Sequence, residues 1–470
     1  MTILKIQNSF SQVVTNDENV AFMLWSRLRW REKGYFHTSL YKQKKWDGYK
    51  DFFSKKTGKF LTGLLPEVKA VLDFLKVEYV TEDLRTPFTW AIKEIDEGFL
   101  KQFGGTFDLY DYQAELTNQI LKHDRGIIQA PTSAGKTYIM IAILKCLPKN
   151  TPTLVLANRK GLCDQNYEAI TQWGFTNVGR LYDKFTEPNV ITCATWQSVH
   201  KIAQILPKIR CLIVDEIHEM LSKGPKKVYN TLTGCHVRVA VSATPFKFGG
   251  EDKVQKFGVK GYFGPIMKAT SAEGVLTTDK LKKRNILSKS IATFYPIRHP
   301  ELPYAVYQDA VTQGIAENFE FHQLVKRLAT SLKGRTLILV ERLAHGDYLK
   351  DLMPDALWVR GKDNLETRKF VIEQLKVCKD EVIGIATHGI FNAGINCYIH
   401  NLLNCAGGQA DHQIVQRFGR GLRTANDKEI LNYYDFVFHN NTYLLEHSKK
   451  RINILKREGH EVVVKSEIDF

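Results

Sequence analysis

The sequence is short of several things, and each shortage narrows what the chain can be. It has 8 cysteines in 470 residues, standing apart at positions 146, 163, 193, 211, 235, 378, 397 and 405, and no two form Cys-x-x-Cys. Neither a disulfide framework nor a zinc site is expected, and thiols packed as small hydrophobes suit a reducing compartment. No window approaches the roughly 18 uncharged apolar residues of a membrane span, and the first residues carry no apolar stretch of a secretory leader. Neither export nor a transmembrane helix is therefore expected. There is no low-complexity tail, and the hydrophobic share of 44% is that of a globular chain. Acidic residues are also in deficit: 66 Lys and Arg stand against 50 Asp and Glu, a formal net charge of +16. That imbalance points to a polyanion, most often nucleic acid. At this length one core does not suffice, and two to four domains are expected.

What is present is organised around Gly126 to Tyr138. Ile127 and Ile128 close a short apolar strand, a loop of small residues follows, and from Lys136 the spacing of Tyr138, Ile139, Ile141 and Leu144 turns helical. Strand, loop and helix start make a phosphate cradle, because backbone N–H groups and the positive helix end both face the anion. The loop runs Ala130-Pro131-Thr132-Ser133-Ala134-Gly135-Lys136-Thr137, with alanine where the usual pattern opens on glycine. Pro131 to Gly135 are expected to wrap the phosphates of ATP. Lys136 would reach the β- and γ-phosphates, and the Thr137 hydroxyl would hold Mg2+.

Further along, Cys211-Leu-Ile-Val-Asp215-Glu216-Ile217-His218 is an apolar strand ending in two acids. Asp215 would bind Mg2+ through water, and Glu216 would take the proton of the attacking water. Such acids can merely offset a helix dipole, but their place after a phosphate loop argues otherwise. His218 would relay between nucleotide and nucleic acid. Ser242-Ala243-Thr244-Pro245, after another apolar strand, would couple nucleotide state to domain movement, with Ser242 and Thr244 as the coupling groups. In the second half, Gln416-Arg-Phe-Gly-Arg420-Gly-Leu-Arg423 spaces arginines by three along a helix face, so Arg420 and Arg423 would act as arginine fingers.

Residues 1–105 read as a small α+β domain. An extended start at Ile3 to Ile6 is followed by a short helix around Val20 to Trp25, a hairpin turn at Thr57-Gly58, and a helix opened by Pro66 with Val68, Val71, Leu72 and Leu75 on one face. From Arg27 to Lys59 there are eleven Lys and Arg against three acidic residues, with eight aromatics interleaved. Cations bind phosphates and aromatic faces stack on bases, so Lys44, Lys45 and Trp46 are expected to touch DNA. About half of those aromatics are expected to fill a small core instead. Asp47 with Glu67-Val68-Lys69 loosely mimics a metal-dependent nuclease, but the Glu-x-Lys lies on a predicted helix where such sites use a strand.

Residues 106–285 and 286–440 each alternate short apolar runs with helical stretches, as parallel sheets covered on both faces require. The first set of expected strands is Gly126 to Gln129, Thr153 to Ala157, Val190 to Cys193, Arg210 to Val214 and Val237 to Val241. The second is Thr336 to Val340, Ala356 to Arg360, Val382 to Ala386, Asn401 to Ala406 and Leu431 to Phe436. Lys247 to Arg284 shows no clear periodicity and reads as a loop or insertion. Residues 441–470 read as a helical extension with a basic helix over Tyr443 to Arg457.

The ordered series Tyr112-Gln113, Ala130 to Thr137, Leu156 to Arg159, Thr195 to Ser198, Asp215 to His218, Ser242 to Thr244, Ala386-Thr387 with Ala393 to Asn396, and Gln416 to Arg423 resembles the motifs of superfamily 2 helicases. The resemblance spans roughly residues 105 to 440. It implies an α/β protein of two tandem RecA-like domains clasping ATP, with Tyr112, Gln113 and Gln416 at the nucleotide and Gln113 reading the adenine. Arg159, Thr195, Gln197, Ser198, His345, Gly346, Thr387 and Asn396 would touch the nucleic-acid backbone, tracking phosphates rather than reading bases. Within the superfamily the chain most resembles the phage UvsW-type recombination and branch-migration helicases, through its Pro-Thr-Ser-Ala-Gly-Lys loop, Thr-Trp-Gln, and Tyr41-x4-Trp46-Asp47-Gly48. Glu-Ile-His and Ser-Ala-Thr depart from that subgroup's pattern. The narrower resemblance implies 3′ to 5′ movement on forks and Holliday junctions, in the cytoplasm of a bacterial host. Alternatives are an RNA helicase of the Asp-Glu-x-His type, a duplex-DNA translocase subunit, and a non-catalytic clamp that merely binds ATP.

Overall fold

The computed structural model describes residues 1–246, 252–271, 274–361, 363, 365–377, 381–388, 399–408, 418, 421–422, 428 and 430–468. They divide into two compact units: Met1–Ala130 with Gly135–Val275, and Leu276–Phe470 with Pro131–Ala134. Among the described residues no helix is long and apolar enough to cross a membrane.

The first unit begins with β1 (Thr2–Ile6), β2 (Phe10–Val14), α1 (Glu18–Arg27), β3 (Arg29–Arg31), α2 (Ser39–Lys42), β4 (Tyr49–Asp51), β5 (Lys59–Leu61), α3 (Leu65–Phe74) and β6 (Tyr79–Asp83). Four strands form a sheet in the order β5-β2-β1-β6, while β3 and β4 form a separate antiparallel hairpin. Alternation along β1 turns Leu4 and Ile6 inward. The Asp17 carboxylate starts α1 by accepting from the N–H groups of Asn19 and Val20. Val20 and Leu24 of α1 then meet Val68 and Leu72 of α3 in a core completed by Phe53 and Phe60.

Phe53 alone among the eight interleaved aromatics is fully buried, fewer than the expected half. Arginines hold several of the others near the surface. The Arg29 guanidinium lies 4.0 Å from the ring centre of Trp25 and 4.3 Å from that of Tyr49, and Arg31 lies 4.8 Å from both Tyr35 and Tyr49. Glu67 sits on α3 and pairs with Lys260, so a strand-borne nuclease carboxylate is not what this segment provides.

The unit continues with α4 (Asp111–His123), β7 (Arg125–Gln129), α5 (Lys136–Cys146), β8 (Thr153–Ala157), α6 (Lys160–Gln172), β9 (Val178–Tyr182), β10 (Phe185–Glu187), β11 (Ile191–Thr195), β12 (Cys211–Asp215), α7 (Lys223–Thr231), β13 (Val237–Ser242), α8 (Lys253–Phe263) and β14 (Ile266–Lys268), then a small hairpin of β15 (Thr270–Ser271) and β16 (Gly274–Val275). The eight-stranded sheet has the order β10-β9-β11-β8-β12-β13-β7-β14, and every pair is parallel except β10 with β9. Its expected strands lie on β7, β8, β11, β12 and β13. The segment read as an insertion contains a regular helix, α8, capped by Asp252, whose carboxylate accepts the Gln255 N–H at 3.0 Å. Gly258 and Gly261 interrupt its apolar periodicity, and Gly261 is required because a Cβ there would overlap Leu61.

Two buried arginines seal the N-terminal layer to this sheet. Arg238 of β13 donates to Ser9 Oγ and Leu232 O, both at 2.7 Å, and to Tyr229 O at 3.2 Å. Arg125 of β7 donates to Asn8 O and, at 3.3 Å, to Cys235 O. Neither guanidinium meets a carboxylate in these bonds. Burial draws both pKa values down, that of Arg125 to about 9.

The second unit holds α9 (Thr278–Lys283), β17 (Lys289–Ile297), α10 (Tyr307–Val311), α11 (Phe319–Ser331), β18 (Thr336–Val340), α12 (Leu343–Leu352), β19 (Leu357–Val359), α13 (Leu365–Val377), β20 (Ile383–Thr387), β21 (Asn401–Asn404), β22 (Ile430–Phe438), α14 (Thr442–Arg457) and β23 (Glu461–Val464). Seven parallel strands run in the order β19-β20-β18-β21-β22-β17-β23. The C-terminal segment is part of this layer: α14 packs on β22 and β23 extends the sheet beside β17. Arg451 of α14 pairs with Asp435 of β22 at 2.9 Å with both side chains 0% exposed. Tyr433 Oη and Asn404 Nδ2 donate to the same carboxylate at 2.7 and 2.9 Å. Asp435→Ala leaves a buried cation without its partner, so urea denaturation should report a loss of about 3–5 kcal/mol from the transition of this unit.

Candidate nucleotide site

Parallel strands deliver each following loop to the same sheet edge. In register, Ser242 of β13 lies beside Gln129 of β7, and Asp215 of β12 beside Val241 of β13. The phosphate loop, the acidic pair and the Ser-Ala-Thr turn thus leave one edge as neighbours.

The loop has the backbone that a phosphate cradle needs. Ser133 and Gly135 take positive φ values of +64° and +75°, an alternation that turns N–H groups toward one point, and Gly135 caps α5. A Cβ at Gly135 would overlap Gln113 Nε2, so glycine is required. Ala130 is buried and has no positive φ, which is why alanine can open the loop. Lys136 Nζ lies 3.4 Å from Ala130 O. Thr137 is exposed at the start of α5. Among the described residues, the buried hydroxyls Thr132 Oγ1 and Thr244 Oγ1 have no hydrogen-bond partner. A cradle that excludes a Cβ at Gly135, with orphaned hydroxyls on the same loops, fits a nucleotide polyphosphate.

At the end of β12, Glu216 adopts a left-handed φ of +52°, a costly conformation for a side-chain-bearing residue. Its Oε2 accepts Ser242 Oγ–H at 3.0 Å. His218 is buried, with Nδ1 3.0 Å from Ser242 Oγ and 3.3 Å from Glu216 Oε2. The Thr244 N–H donates to the same Ser242 Oγ at 3.2 Å. One hydroxyl therefore joins Glu216, expected to carry catalysis, to His218 and Thr244, expected to carry coupling. Asp215 accepts from Asn166 Nδ2 at 3.3 Å, a contact that sequence reasoning missed because α6 carries no motif. Among the described residues no group of three or more His, Cys, Asp or Glu is placed to hold a metal ion.

Gln113 is buried, and its Oε1 accepts the Tyr110 N–H at 2.9 Å, fixing the start of α4. Tyr112 is 0% exposed, whereas Tyr110, stacked on it at 5.7 Å, is 43% exposed. That corrects the expected place of Tyr112 at the nucleotide: α4 turns its ring into the core. The accessible ring beside Gln113 is Tyr110, which sequence spacing did not single out.

The residues expected along a nucleic-acid strand fall into distinct surroundings. Arg159 pairs with Glu219 at 2.5 Å, and Trp196 donates to Asn158 Oδ1 at 3.0 Å. Thr195 is buried with its hydroxyl 3.1 Å from that of Ser198, while Gln197 is exposed. Lys44 and Lys45 are exposed; half-buried Trp46 donates to Tyr49 O at 2.7 Å. In the second unit Thr387 ends β20 and is half-buried. His345 is 1% exposed and stacks on His322 at 4.9 Å; burial draws its pKa down to about 3. That corrects its expected role: α12 turns this face into the core, so the imidazole has no surface to offer a strand. Gly346 is likewise a packing position, since a Cβ would overlap Trp358. Gln416, Arg420, Arg423 and Asn396 lie outside the described residues.

A family model described as "Type III restriction enzyme, res subunit" matches residues 106–247, the stretch that holds the phosphate loop, the acidic pair and the Ser-Ala-Thr turn. The ATP-dependent DNA helicase uvsW of Enterobacteria phage T4 is 22% identical over 86% of this chain and 87% of its own length. The DNA 3′-5′ translocase XPB2 of Sulfurisphaera tokodaii is 29% identical over 49% of this chain and 52% of its own. In fold, the chain resembles the RNA-bound structure of Dbp5 from S. cerevisiae at TM-score 0.53, with 14% identity over 80% of this chain and 96% of that one. The matched family model and these two relatives support an ATP-dependent helicase enzyme, whose ordered motifs are similar to those of superfamily 2. Within that class it is similar to the phage UvsW type.

Two substitutions probe this edge. Gly135→Ala combines a left-handed φ with a clash, so binding of a fluorescent ATP analogue should weaken by roughly tenfold or more. Ser242→Ala removes the hydroxyl shared by Glu216, His218 and Thr244. It should leave nucleotide affinity within about twofold and lower nucleic-acid-stimulated hydrolysis by roughly tenfold, as expected for one lost hydrogen bond to a charged group.

Proposed function

We propose that the chain is an ATP-dependent DNA helicase that unwinds or branch-migrates forked and Holliday-junction DNA in phage recombination, repair or replication. The observation that carries this reading is the Ser242 hydroxyl, which bonds the Glu216 carboxylate and the His218 ring at the sheet edge where the phosphate loop emerges. ATP, when bound with Mg2+, supplies the phosphoanhydride whose hydrolysis drives movement. Lys136 and the loop from Pro131 to Gly135 hold its phosphates, Thr137 and Asp215 hold the metal ion, and Glu216 takes the proton from water. A change at Glu216 is passed through Ser242 to His218 and Thr244, whose loops continue into the rest of the unit. Arg420 and Arg423 serve as fingers, and Gln113 and Gln416 contact the nucleotide, with Tyr110 as the exposed ring beside Gln113.

The DNA preference is supported by the T4 relative, described as a DNA helicase, and by the basic N-terminal layer. The Sulfurisphaera tokodaii relative, described as a DNA 3′-5′ translocase, supports 3′ to 5′ movement. Arg159, Thr195, Gln197, Ser198, Thr387 and Asn396 would grip the backbone, with Lys44, Lys45 and Trp46 holding branched or duplex DNA. The protein would act in the host cytoplasm. Likeness to an RNA-bound structure concerns the fold alone, so an RNA helicase stays the second reading.

The test is the ATPase rate with no nucleic acid, single-stranded DNA, linear duplex, a four-way junction and RNA at one salt concentration. Stimulation greatest with the junction, abolished by Glu216→Gln, is the expected outcome. Stimulation by RNA alone would reject the DNA reading while retaining the motor.

A further inference from the structure

The basic helix of the second unit has no part in the nucleotide site. The run from Lys449 to Arg457 reads Lys-Lys-Arg-Ile-Asn-Ile-Leu-Lys-Arg, five cations without an acid. Arg451 turns inward to Asp435, and Leu444, His447, Ile454 and Leu455 share that buried face of α14. The helical period places the other four cations, with Tyr443 and Asn453, on the opposite face, where all are exposed. Lys449 and Lys450 stand two turns, about 10 Å, from Lys456 and Arg457. Acids border this stripe rather than break it: Glu446 precedes the four cations, and Glu458, 3.7 Å from Arg457, follows them.

A second observation places aromatic surface at the start of the same stripe. The loop from His299 to Val306, between β17 and α10, carries Tyr304, which is 97% exposed, and Val306, 61% exposed. The loop is nevertheless fixed. Asn318 Nδ2 donates to His299 O at 2.7 Å, the Leu302 N–H donates to Asn440 O at 2.7 Å, and Asn441 Nδ2 donates to Leu302 O at 2.7 Å. Asn441 also caps α14, its Oδ1 accepting the Tyr443 N–H at 2.9 Å. One side chain thus ties the Tyr304 loop to the first turn of α14, which bears the exposed ring of Tyr443. Just past the loop, Tyr307 packs on His447 of α14 with ring centres 4.9 Å apart. Two exposed tyrosines therefore stand at one end of a line of four cations.

We propose that this face of α14, with Tyr304 and Tyr443 at its head, binds single-stranded nucleic acid: Lys449, Lys450, Lys456 and Arg457 neutralise the phosphodiester backbone, and bases stack on the two tyrosines. The combination decides the ligand class. Cations alone would serve any polyanion, but a phenol ring fixed in solvent beside them offers its face to unpaired bases, which a duplex keeps stacked inside. Point charges and phenol rings accept any base, so no sequence preference follows. The proposal rests on the nucleic-acid reading above and adds to the second unit a contact surface that no helicase motif marks.

The test uses the full chain in three variants: Lys449, Lys450, Lys456 and Arg457 all changed to Gln; the three lysines changed to Arg; and Tyr304 and Tyr443 both changed to Ala. Binding of a single-stranded DNA, and of the same strand made abasic, is titrated across salt concentrations, with ATPase measured without nucleic acid as the control. Each lost phosphate contact on a single strand lowers the slope of log affinity against log salt by about 0.7, so the Gln variant should lose about 2–3 in slope and at least roughly tenfold in affinity, while the Arg variant keeps the wild-type slope. The Ala variant should keep that slope, lose roughly fivefold or more on the base-bearing strand, and bind the abasic strand as the wild type does. Unstimulated ATPase should stay unchanged in all three. An unchanged slope in the Gln variant, an equal loss in the Arg variant, or an Ala variant that holds the base-bearing strand as tightly as the wild type overturns the proposal. A wild-type chain that binds RNA and neither DNA strand rejects the DNA reading alone, and RNA versions of the two strands then decide the surface.

Discussion

The inner strands of both sheets are buried along their length, and this constraint shapes the rest. Val239, Ala240 and Val241, like Ile213 and Val214, are 0% exposed, so no functional group can stand along the strands. Chemistry is confined to the strand ends. At the C-terminal end of the first sheet, Gln129, Asp215 and Ser242 emerge into loops that share one edge. At the opposite end the chain must close its apolar interior, and Arg125 and Arg238 do so by donating to backbone carbonyls and to a serine of the N-terminal layer and its neighbours. Buried guanidiniums without carboxylates are costly. Here they make the N-terminal layer continuous with the sheet that carries the phosphate loop.

Ser242 shows how little is needed to connect the parts of such an edge. Its oxygen lies 3.0 Å from both Glu216 Oε2 and His218 Nδ1 and accepts the Thr244 N–H at 3.2 Å. Loops following two neighbouring strands thus meet at one atom, and a shift in either is felt by the other. The left-handed backbone at Glu216 is held in place by that same network. Strain at a single residue is sustained only where surrounding contacts over-determine it.

Much of this was legible in order and spacing. The phosphate loop, the acid pair and the Ser-Ala-Thr turn each follow an apolar run, and those runs are β7, β12 and β13. The alternation also located strands of the second sheet that motifs do not mark. Legibility failed where glycine interrupted a periodicity, as in α8, where Gly261 permits close packing against Leu61 and Gly258 faces Phe52. It failed where partners are distant in sequence, as for Asn166 with Asp215 or Arg451 with Asp435. His345 misled because its position matched a motif while its direction depended on which face of α12 the core claimed.

Residue order by itself determined the class of chain. Local spacing specifies a strand, a glycine-bearing loop and a helix start, and local backbone geometry is enough to form a phosphate cradle at Gly135. It also determined the basic balance that favours a polyanion. Only the tertiary structure decided which rings and charges are accessible. Tyr112 is sealed and Tyr110 exposed, and Tyr49 is enclosed by Arg29 and Arg31. The reason is physical: burial, ring stacking and charge proximity are pairwise properties of positions far apart in sequence, and the packing of the sheets assigns them.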